Sequence, residues 1–346
     1  HTPTGDSAVY GRICCKGGVC RKAGGATGAT CCPGLRSMEH NHAMTVRLVC
    51  IGDSFTEGMC DDLRPDGHYL GWADRVALAL ATENAQRDET VEYANLAVRG
   101  KLLDEVVADQ LPIAATMRPT IATFHAGPND VLRPRTDLNN LFDRYHRAVC
   151  DVAASATQVV LFTSIGRAGG TGRVAQGVAD RFARFNDNVR AVATAEGVTL
   201  VDLEPVRVLS DRRLWHTDRL HLNAAGHARV AAAVLGKVGG SMNRNHELIL
   251  DASPLPQSGK TAAFVSVPQP TGSASPHTER PDTDHPHAGS ADPDWWQEPL
   301  PPSQPVGRRT AVAADLAWIY SFLVPWLGRR LRGTSSGDGR EPKDAK

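Results

Sequence analysis

The chain has 346 residues, of which 41% are hydrophobic and 22% are charged, a composition typical of globular proteins. Lys plus Arg and Asp plus Glu both number 38, so the charge balance gives no sign of a nucleic-acid partner and favours a small-molecule or neutral substrate. We find no signal-peptide core and no apolar run long enough for a membrane span, and we therefore expect a cytoplasmic protein without an integral membrane segment.

The first 43 residues hold most of the cysteines of the chain, interleaved with Gly, Ala and Thr. These are Cys14, Cys15, Cys20, Cys31 and Cys32. Their spacing fits no common zinc pattern, their number is odd, and no apolar periodicity surrounds them. Met44 stands directly before the first predicted strand. We therefore expect residues 1–43 to be a disordered leader outside the folded domain, and the native protein to start at Met44.

From Met44 to residue 240, short apolar runs rich in β-branched residues alternate with helical stretches. The predicted strands are 46–51, 91–97, 120–126, 159–165 and 198–203. The predicted helices are 70–86, 101–117, 137–156, 173–196 and 223–236. Strands that are apolar throughout and separated by helices are typical of a parallel sheet covered on both faces. Residues 44–240 therefore predict a three-layer α/β/α sandwich around a five-stranded parallel sheet.

The composition changes after residue 240. Residues 241–310 are rich in Pro, Ser, Thr, His and Asp without apolar periodicity, which predicts a disordered linker. Residues 311–332 have a helical pattern that Asp315 and Pro325 interrupt, which disfavours a membrane span. We expect an amphipathic helix packed on the domain, with a membrane-surface or partner-binding helix as alternatives. Residues 333–346 are predicted to be a disordered tail.

Gly52-Asp53-Ser54 follows the first predicted strand directly and precedes a helical stretch. This arrangement places the Ser54 hydroxyl at the carboxyl end of a buried strand, beside the N–H groups of a helix start. A hydroxyl there can attack a carbonyl carbon, and the oxyanion that forms meets hydrogen-bond donors. The tripeptide alone is weak evidence, because a chain of this length contains it by chance roughly one time in ten.

Three further motifs lie on loops that a parallel topology brings to the same edge of the sheet. Gly100 follows the second strand, Asn129 the third, and Asp218 and His221 the fifth. His221 is the candidate base for Ser54, and Asp218, three residues earlier, can orient its imidazole. The backbone N–H groups of Ser54 and Gly100 and the side-chain amide of Asn129 are the candidate oxyanion donors.

Other polar residues near these motifs have structural interpretations. Asp53 and Asp130 are interpreted as bonding the backbone of their own loops. His216 and His227 lack an aspartate three residues earlier and are interpreted as solvated or helix-face residues. Arg99 is left open between a surface residue and a contact to an anionic substrate.

With these motifs, the chain resembles the SGNH hydrolases, also called the GDSL esterase/lipase family. The family's marks correspond to Ser54 in GDSFTEG, Gly100 in NLAVRGK, Asn129 in GPND, and Asp218 and His221 in DRLH. The resemblance covers residues 45–236 and implies the SGNH fold, with a flavodoxin-like sheet. The chain looks most like the cytoplasmic actinobacterial branch, by its Trp-bearing segment and its ending at 328–333 and 335–339.

The resemblance and the residues together predict a serine esterase or lipase that cleaves carboxylic or thio-esters through an acyl-Ser54 intermediate. No metal or cofactor is expected, and the expected partner is a small-molecule ester. An acyltransferase using the same site is one alternative. A non-catalytic binding or scaffolding protein that acts through the C-terminal helix is another. The sequence leaves the acyl group, the alcohol and the oligomeric state open.

Overall fold

A computed structural model describes residues 45–85, 87, 89–166, 172–239, 265–266, 294–303, 308–332 and 336–343. The predicted leader, residues 1–43, lies outside the described residues, and so does most of the predicted linker.

Five parallel strands form the centre of the domain. They are β1 (Thr45–Gly52), β2 (Thr90–Asn95), β3 (Ile121–His125), β4 (Gln158–Phe162) and β5 (Thr199–Val201). Their order across the sheet is β5-β4-β3-β1-β2, which is the flavodoxin-like order 2-1-3-4-5 seen from the other edge. The predicted fold class is therefore confirmed.

Helices cover both faces of this sheet. Their bounds are α1 Ser54–Glu57, α2 Gly71–Ala85, α3 Leu103–Asp109, α4 Leu111–Met117, α5 Pro128–Val131, α6 Leu138–Ser155, α7 Arg173–Glu196 and α8 Ala224–Val238. One apolar core lies under α2 and α8, around the fully buried Trp72. A second core lies on the opposite face under α3, α4, α6 and α7, around Tyr145 and Phe185. The two cores make the domain a three-layer sandwich.

The helix predicted at 101–117 is two helices, α3 and α4, separated at Gln110. The side chain of Gln110 is buried, accepts a hydrogen bond from the Gly52 N–H at 2.9 Å and donates one to the Gly52 carbonyl at 2.9 Å. Pro112, in the first turn of α4, has no N–H to continue a helix from α3. The break therefore lets Gln110 hold Gly52 at the end of β1, two residues before Ser54.

The linker predicted at 241–310 contains two structured pieces besides the start of the C-terminal helix, so this prediction is wrong for part of its length. Val265–Ser266 forms β6, a short antiparallel strand beside β2. Residues 294–303 pack on α8, where Trp295 is buried. The Arg229 guanidinium lies 5.5 Å from the Trp295 ring and donates to the backbone carbonyls of Trp295 and two neighbours at 2.6–3.2 Å. These contacts fix a segment that has no apolar periodicity of its own.

The C-terminal helix predicted at 311–332 begins slightly earlier and contains a π turn. It consists of α9 (Arg308–Trp318), the π turn Ile319–Leu323 and α10 (Val324–Leu331). Among the described residues, no helix combines the length and the apolar character needed to cross a membrane.

The tail predicted as disordered at 333–346 is ordered over residues 336–343, so this prediction is also wrong in part. Lys343 is buried, and its ammonium donates to the carbonyls of Glu57 at 3.0 Å and Tyr69 at 2.8 Å. It also pairs with the Asp74 carboxylate at 2.5 Å. A buried charge of this kind is tolerated only with such partners, which the tail finds on the domain.

Candidate active site

The turn between β1 and α1 presents Ser54 at the carboxyl end of the sheet. Asp53 precedes the helix, and its Oδ1 accepts a hydrogen bond from the Phe55 N–H at 3.1 Å, which confirms its predicted role in the turn. Gly52 has no room for a side chain, because a β-carbon there would overlap the carbonyl oxygen of His125. The local structure therefore explains each residue of Gly52-Asp53-Ser54: the lack of space at Gly52, the helix-start hydrogen bond of Asp53 and the place of Ser54 at the carboxyl end of the sheet.

The structure brings Ser54, His221 and Asp218 together in one chain of hydrogen bonds. The Ser54 Oγ lies 3.0 Å from Nε2 of His221, and Nδ1 of His221 lies 2.7 Å from Oδ2 of Asp218. The serine and the histidine are 167 positions apart in sequence and come from opposite ends of the domain. This is the geometry in which an imidazole can take a proton from a serine hydroxyl.

The Asp218 carboxylate is held by its own loop as well as by His221. Its Oδ1 accepts from the backbone N–H groups of Leu220 at 2.9 Å and His221 at 3.0 Å. Burial acts to raise the pKa of Asp218, but the hydrogen bonds and charge of His221 and these backbone donors outweigh it and keep the pKa well below its usual range. Asp218 is therefore an anion at neutral pH, as the orientation of an imidazole requires.

The three predicted oxyanion donors lie on adjoining loops. The Asn129 side-chain nitrogen is 3.2 Å from Oδ2 of Asp53 and 3.1 Å from the carbonyl of Lys101, the residues next to Ser54 and Gly100 respectively. Gly100 has a left-handed backbone with φ 79°. Within the part of the chain that the structure describes, the backbone N–H groups of Ser54 and Gly100 donate to no other atom. A developing oxyanion beside Ser54 can use both.

Arg99 is not a surface residue, so that interpretation from the sequence is wrong, whereas a contact to an anionic substrate stays a prediction. Its side chain is 12% exposed and pairs with the Glu57 carboxylate, which is 10% exposed. Glu57 accepts from the Arg99 backbone N–H at 2.6 Å and from Nε at 2.8 Å, and it also contacts the terminal guanidinium nitrogen. The pair fixes the loop that carries Gly100.

Asp130 does not bond its own loop, as the sequence predicted, but the neighbouring one. Its Oδ2 accepts from the Leu103 N–H at 2.9 Å, at the start of α3. The Asp130 carboxylate thus accepts from an N–H group in the first turn of α3. Leu102, the residue before α3, cannot do so, because its side chain has no polar atom. Asp130 therefore links the loop after β3 to the loop after β2.

The two rival histidines differ from each other in the structure. His216 is half-exposed, and its Nδ1 accepts from the Asp218 N–H at 3.3 Å. His227 is fully buried rather than solvated, and its Nε2 contacts the Met59 carbonyl at 3.2 Å. Burial lowers the pKa of His227 to about 4, so this histidine is neutral at pH 7. Neither contacts Ser54.

Two side chains that contact Asp218 had no signal in the sequence. The Cys60 thiol lies 3.5 Å from Oδ2 of Asp218. Its pKa is raised to about 12, mainly by burial and to a smaller extent by the negative charge of Asp218. The Trp318 indole N–H donates to the backbone carbonyl of Asp218 at 2.8 Å. Such contacts join residues 100 or more positions apart, and only the tertiary structure creates them.

Two groups of described side chains have ligand atoms close enough to hold a metal ion. Cys60, Asp218 and His221 form one, and His146, Cys150 and Glu196 form the other, with all ligand atoms of a group within 4.8 Å of one another. In the first group, a metal would replace the bond between His221 and Asp218. Sequence spacing alone suggested no ligand set, because the members come from separate elements.

Residues 50–229 match the model of a family described as GDSL-like lipase/acylhydrolase. A search of curated proteins finds no match. Among solved structures, LAE5, an alpha/beta hydrolase enzyme from the metagenome of Lake Arreo, is 23% identical, with a TM-score of 0.48 over 56% of this chain and 95% of that chain. Axe2, an acetylxylan esterase from Geobacillus stearothermophilus, is 19% identical, with a TM-score of 0.45 over 56% of this chain and 94% of that chain. The acetyl xylan esterase AlAXEase is 18% identical, with a TM-score of 0.45 over 55% and 98%.

Proposed function

Because the chain belongs to the GDSL-like lipase/acylhydrolase family, and is accordingly an ester-cleaving hydrolase, we propose that it works through an acyl intermediate on Ser54. His221 is the general base, and Asp218 orients it. The N–H groups of Ser54 and Gly100 and the amide of Asn129 form the oxyanion hole. The substrate class in this proposal is a small carboxylic or thio-ester.

The first half of the reaction forms the acyl-enzyme. Nε2 of His221 takes the proton from the Ser54 hydroxyl as Oγ attacks the carbonyl carbon of the ester. The imidazolium that results is stabilised by Asp218, which stays ionised because its pKa is low. The tetrahedral oxyanion accepts from the N–H groups of Ser54 and Gly100. The Asn129 amide, whose two hydrogens point to Asp53 and Lys101 in the structure, turns one of them to the oxyanion. His221 then gives its proton to the leaving alcohol or thiol as the carbon–oxygen or carbon–sulfur bond breaks.

The second half reverses these roles with water. His221 removes a proton from a water molecule, whose oxygen attacks the acyl carbon. The second tetrahedral intermediate collapses when His221 returns the proton to Ser54 Oγ, and the carboxylic acid leaves. If an alcohol takes the place of the water, the same steps transfer the acyl group, so an acyltransferase differs only in the acceptor.

The observation that carries this proposal is the hydrogen-bond chain from Ser54 through His221 to Asp218, at 3.0 and 2.7 Å. A non-catalytic scaffold on this fold has no need for a serine hydroxyl within reach of an imidazole that a buried carboxylate orients. The alternative of a binding protein therefore accounts for fewer of the contacts.

Hydrolysis of p-nitrophenyl acetate by the full chain tests the proposal. We expect Ser54→Ala to abolish the activity and to remove the acetyl adduct that mass spectrometry detects after a rapid acid quench. Ser155→Ala is the matched control, because the Ser155 hydroxyl donates to a carbonyl of its own helix at 2.9 Å and, among the described residues, has no other hydrogen-bond partner. Equal rates in wild type and Ser54→Ala contradict the proposal. Esters of increasing acyl length, and an added alcohol acceptor, then identify the acyl group and separate hydrolysis from transfer.

The cytoplasmic location and the placement in the cytoplasmic actinobacterial branch are further proposals.

A further inference from the structure

Residues 308–332 and 336–343 contact both sides of the candidate active site. The helical part, α9 and the π turn after it, lies on the loop that carries Asp218 and His221. The tail, residues 336–343, lies on the loop that carries Gly100. One segment, distant in sequence from every candidate catalytic residue, thus reaches the two loops that must face each other across Ser54.

The helical part fixes the peptide unit that follows Asp218. The Trp318 indole N–H donates to the Asp218 carbonyl at 2.8 Å. Arg219, on the other side of the same peptide bond, places its guanidinium 4.9 Å from the Trp318 ring and 2.6 Å from the Asp315 carboxylate. The His216 and Phe322 rings meet edge to face at 6.4 Å. Both ends of the peptide unit between Asp218 and Arg219 are therefore held by α9.

The tail fixes the peptide unit that ends at Gly100. Gly337 is buried, and a β-carbon on it would overlap the carbonyl oxygen of Arg99. That carbonyl and the N–H of Gly100 belong to one planar, trans peptide, so they point in opposite directions. Packing against the carbonyl of Arg99 therefore sets the direction of the Gly100 N–H, the candidate oxyanion donor.

Two further contacts hold this tail in place. The Lys343 ammonium bonds the Glu57 carbonyl at 3.0 Å and the Asp74 carboxylate at 2.5 Å. The Glu57 side chain in turn pairs with Arg99. Gly337 thus lies against the loop that carries Gly100, and Lys343 is attached to α1, which begins at Ser54, and to α2.

We propose that Trp318 and Gly337 are positioning residues, through which the C-terminal segment orients the catalytic carboxylate and the Gly100 oxyanion donor. This inference rests on the proposed function. Its physical basis is that catalytic groups must lie within fractions of an ångström of their productive positions, since a displacement of 1 Å can lower a rate about 100-fold.

The first test compares Trp318→Phe with Tyr320→Phe in the full chain. The first substitution removes the donor to Asp218 and keeps an aromatic ring, whereas Tyr320 is exposed on the same helix and serves as the control. We expect Trp318→Phe to lower kcat on p-nitrophenyl acetate roughly 2- to 10-fold, the equivalent of one hydrogen bond, with KM unchanged. Tyr320→Phe should match wild type.

The second test compares Gly337→Ala with Ser336→Ala. A methyl group on Gly337 forces the tail away from Arg99, whereas Ser336 is exposed and next to it. We expect Gly337→Ala to lower kcat at least about 10-fold, toward the 10²–10³-fold cost of a lost oxyanion donor, and KM to change little. Gly337 lies in the tail, outside the core of the domain. We therefore expect Gly337→Ala to fold, so that it tests the inference even if Trp318→Phe does not fold.

A readout independent of turnover is the far-downfield proton NMR signal of the hydrogen bond between His221 and Asp218, assigned by its loss in Asp218→Asn. We expect Trp318→Phe to shift or broaden it and Tyr320→Phe to leave it unchanged. If Ser54→Ala is inactive but Trp318→Phe and Gly337→Ala match their controls in kcat, and the signal does not move, the positioning inference is overturned and the proposed function stands. If Ser54→Ala stays active, the proposed function fails, and the NMR comparison alone decides the inference.

Discussion

Asp53 connects the nucleophile turn to the candidate oxyanion hole, and Asp53→Asn tests that connection. The carboxylate uses both oxygens as acceptors, Oδ1 for the Phe55 N–H at 3.1 Å and Oδ2 for the Asn129 amide at 3.2 Å. An amide at position 53 has one acceptor oxygen, so it can satisfy only one of these donors. The peptide N–H of Phe55 is fixed by α1, and we expect the oxygen to stay with it. The new NH₂ group then faces the NH₂ group of Asn129.

The change in the hydrogen bonds of the Asn129 amide determines how far Asp53→Asn lowers kcat. The Asn129 amide must turn to avoid two NH₂ groups that face each other. A half-turn places the Asn129 oxygen against the Lys101 carbonyl, which in the wild type accepts from the Asn129 nitrogen at 3.1 Å. Either arrangement costs one hydrogen bond, about 1 kcal/mol, and moves the Asn129 N–H away from the oxyanion. Complete loss of one oxyanion donor costs about 10²–10³-fold in kcat, so we expect Asp53→Asn to lower kcat by about 10- to 10³-fold.

The assay is steady-state hydrolysis of p-nitrophenyl acetate by wild type, Asp53→Asn, Asn129→Ala and the double variant. If Asp53 acts through Asn129, the double variant is no slower than Asn129→Ala alone. Urea unfolding checks that the stability of Asp53→Asn falls by no more than about 1 kcal/mol, the usual loss at a helix cap. The reasoning is refuted if Asp53→Asn keeps kcat within about 3-fold of wild type while Asn129→Ala is strongly impaired.

Three further predictions concern groups with shifted pKa values. Asp218→Asn should lower kcat by about 10³–10⁴-fold. The pKa of Asp218 is lower in the folded state than in the unfolded state, where it is about 3.9. The ionised carboxylate therefore stabilises the fold above about pH 3.9, and this contribution is lost as the pH falls below that value. The difference in urea-unfolding free energy between wild type and Asp218→Asn should accordingly shrink from pH 7 to pH 3. The pKa of His227 is about 4 against an ordinary 6.5, so wild type should lose on the order of 3 kcal/mol between pH 7 and pH 4 that His227→Gln does not lose; equal pH dependence of unfolding in the two proteins would falsify this. Because its pKa is raised to about 12, Cys60 should react with iodoacetamide at pH 8 much more slowly than a free thiol, as peptide mass spectrometry can follow, and Asp218→Asn should speed that reaction.

Much of the fold was predictable because its signals are local. Each parallel strand is a short apolar run, and the start of α7 at Arg173 and its end at Glu196 coincide with the predicted helix. The break between α3 and α4 was not predictable, because Gln110 leaves the helix to bond Gly52, 58 positions away. Pro112 alone is compatible with a helix start and does not reveal the break.

The candidate site was predictable to the same extent and for the same reason. Ser54, Asn129 and His221 follow strands or precede helices, so topology alone brings them to one edge. The roles of Asp130 and Arg99 were not predictable, because each side chain bonds a helix that is distant in sequence, α3 and α1 respectively. The ordered tail is the extreme case, since Lys343 finds its carboxylate partner 269 positions earlier in the sequence. No pattern in the short polar tail encodes that contact.

Backbone strain gives independent support to a C-terminal role at this site. Among the described residues, three that are not glycine have a left-handed backbone, and two of them contact or adjoin Asp218: Cys60 with φ 73° and Arg219 with φ 57°. Each costs about 1–3 kcal/mol that glycine would avoid. The side chains account for the choice of residue, because the Cys60 thiol reaches the Asp218 carboxylate and the Arg219 guanidinium reaches α9. A strained conformation persists only where surrounding contacts over-determine it. At Arg219 those contacts come from the C-terminal helix, so the same helix that bonds the Asp218 carbonyl also holds the next residue in a conformation it would otherwise leave.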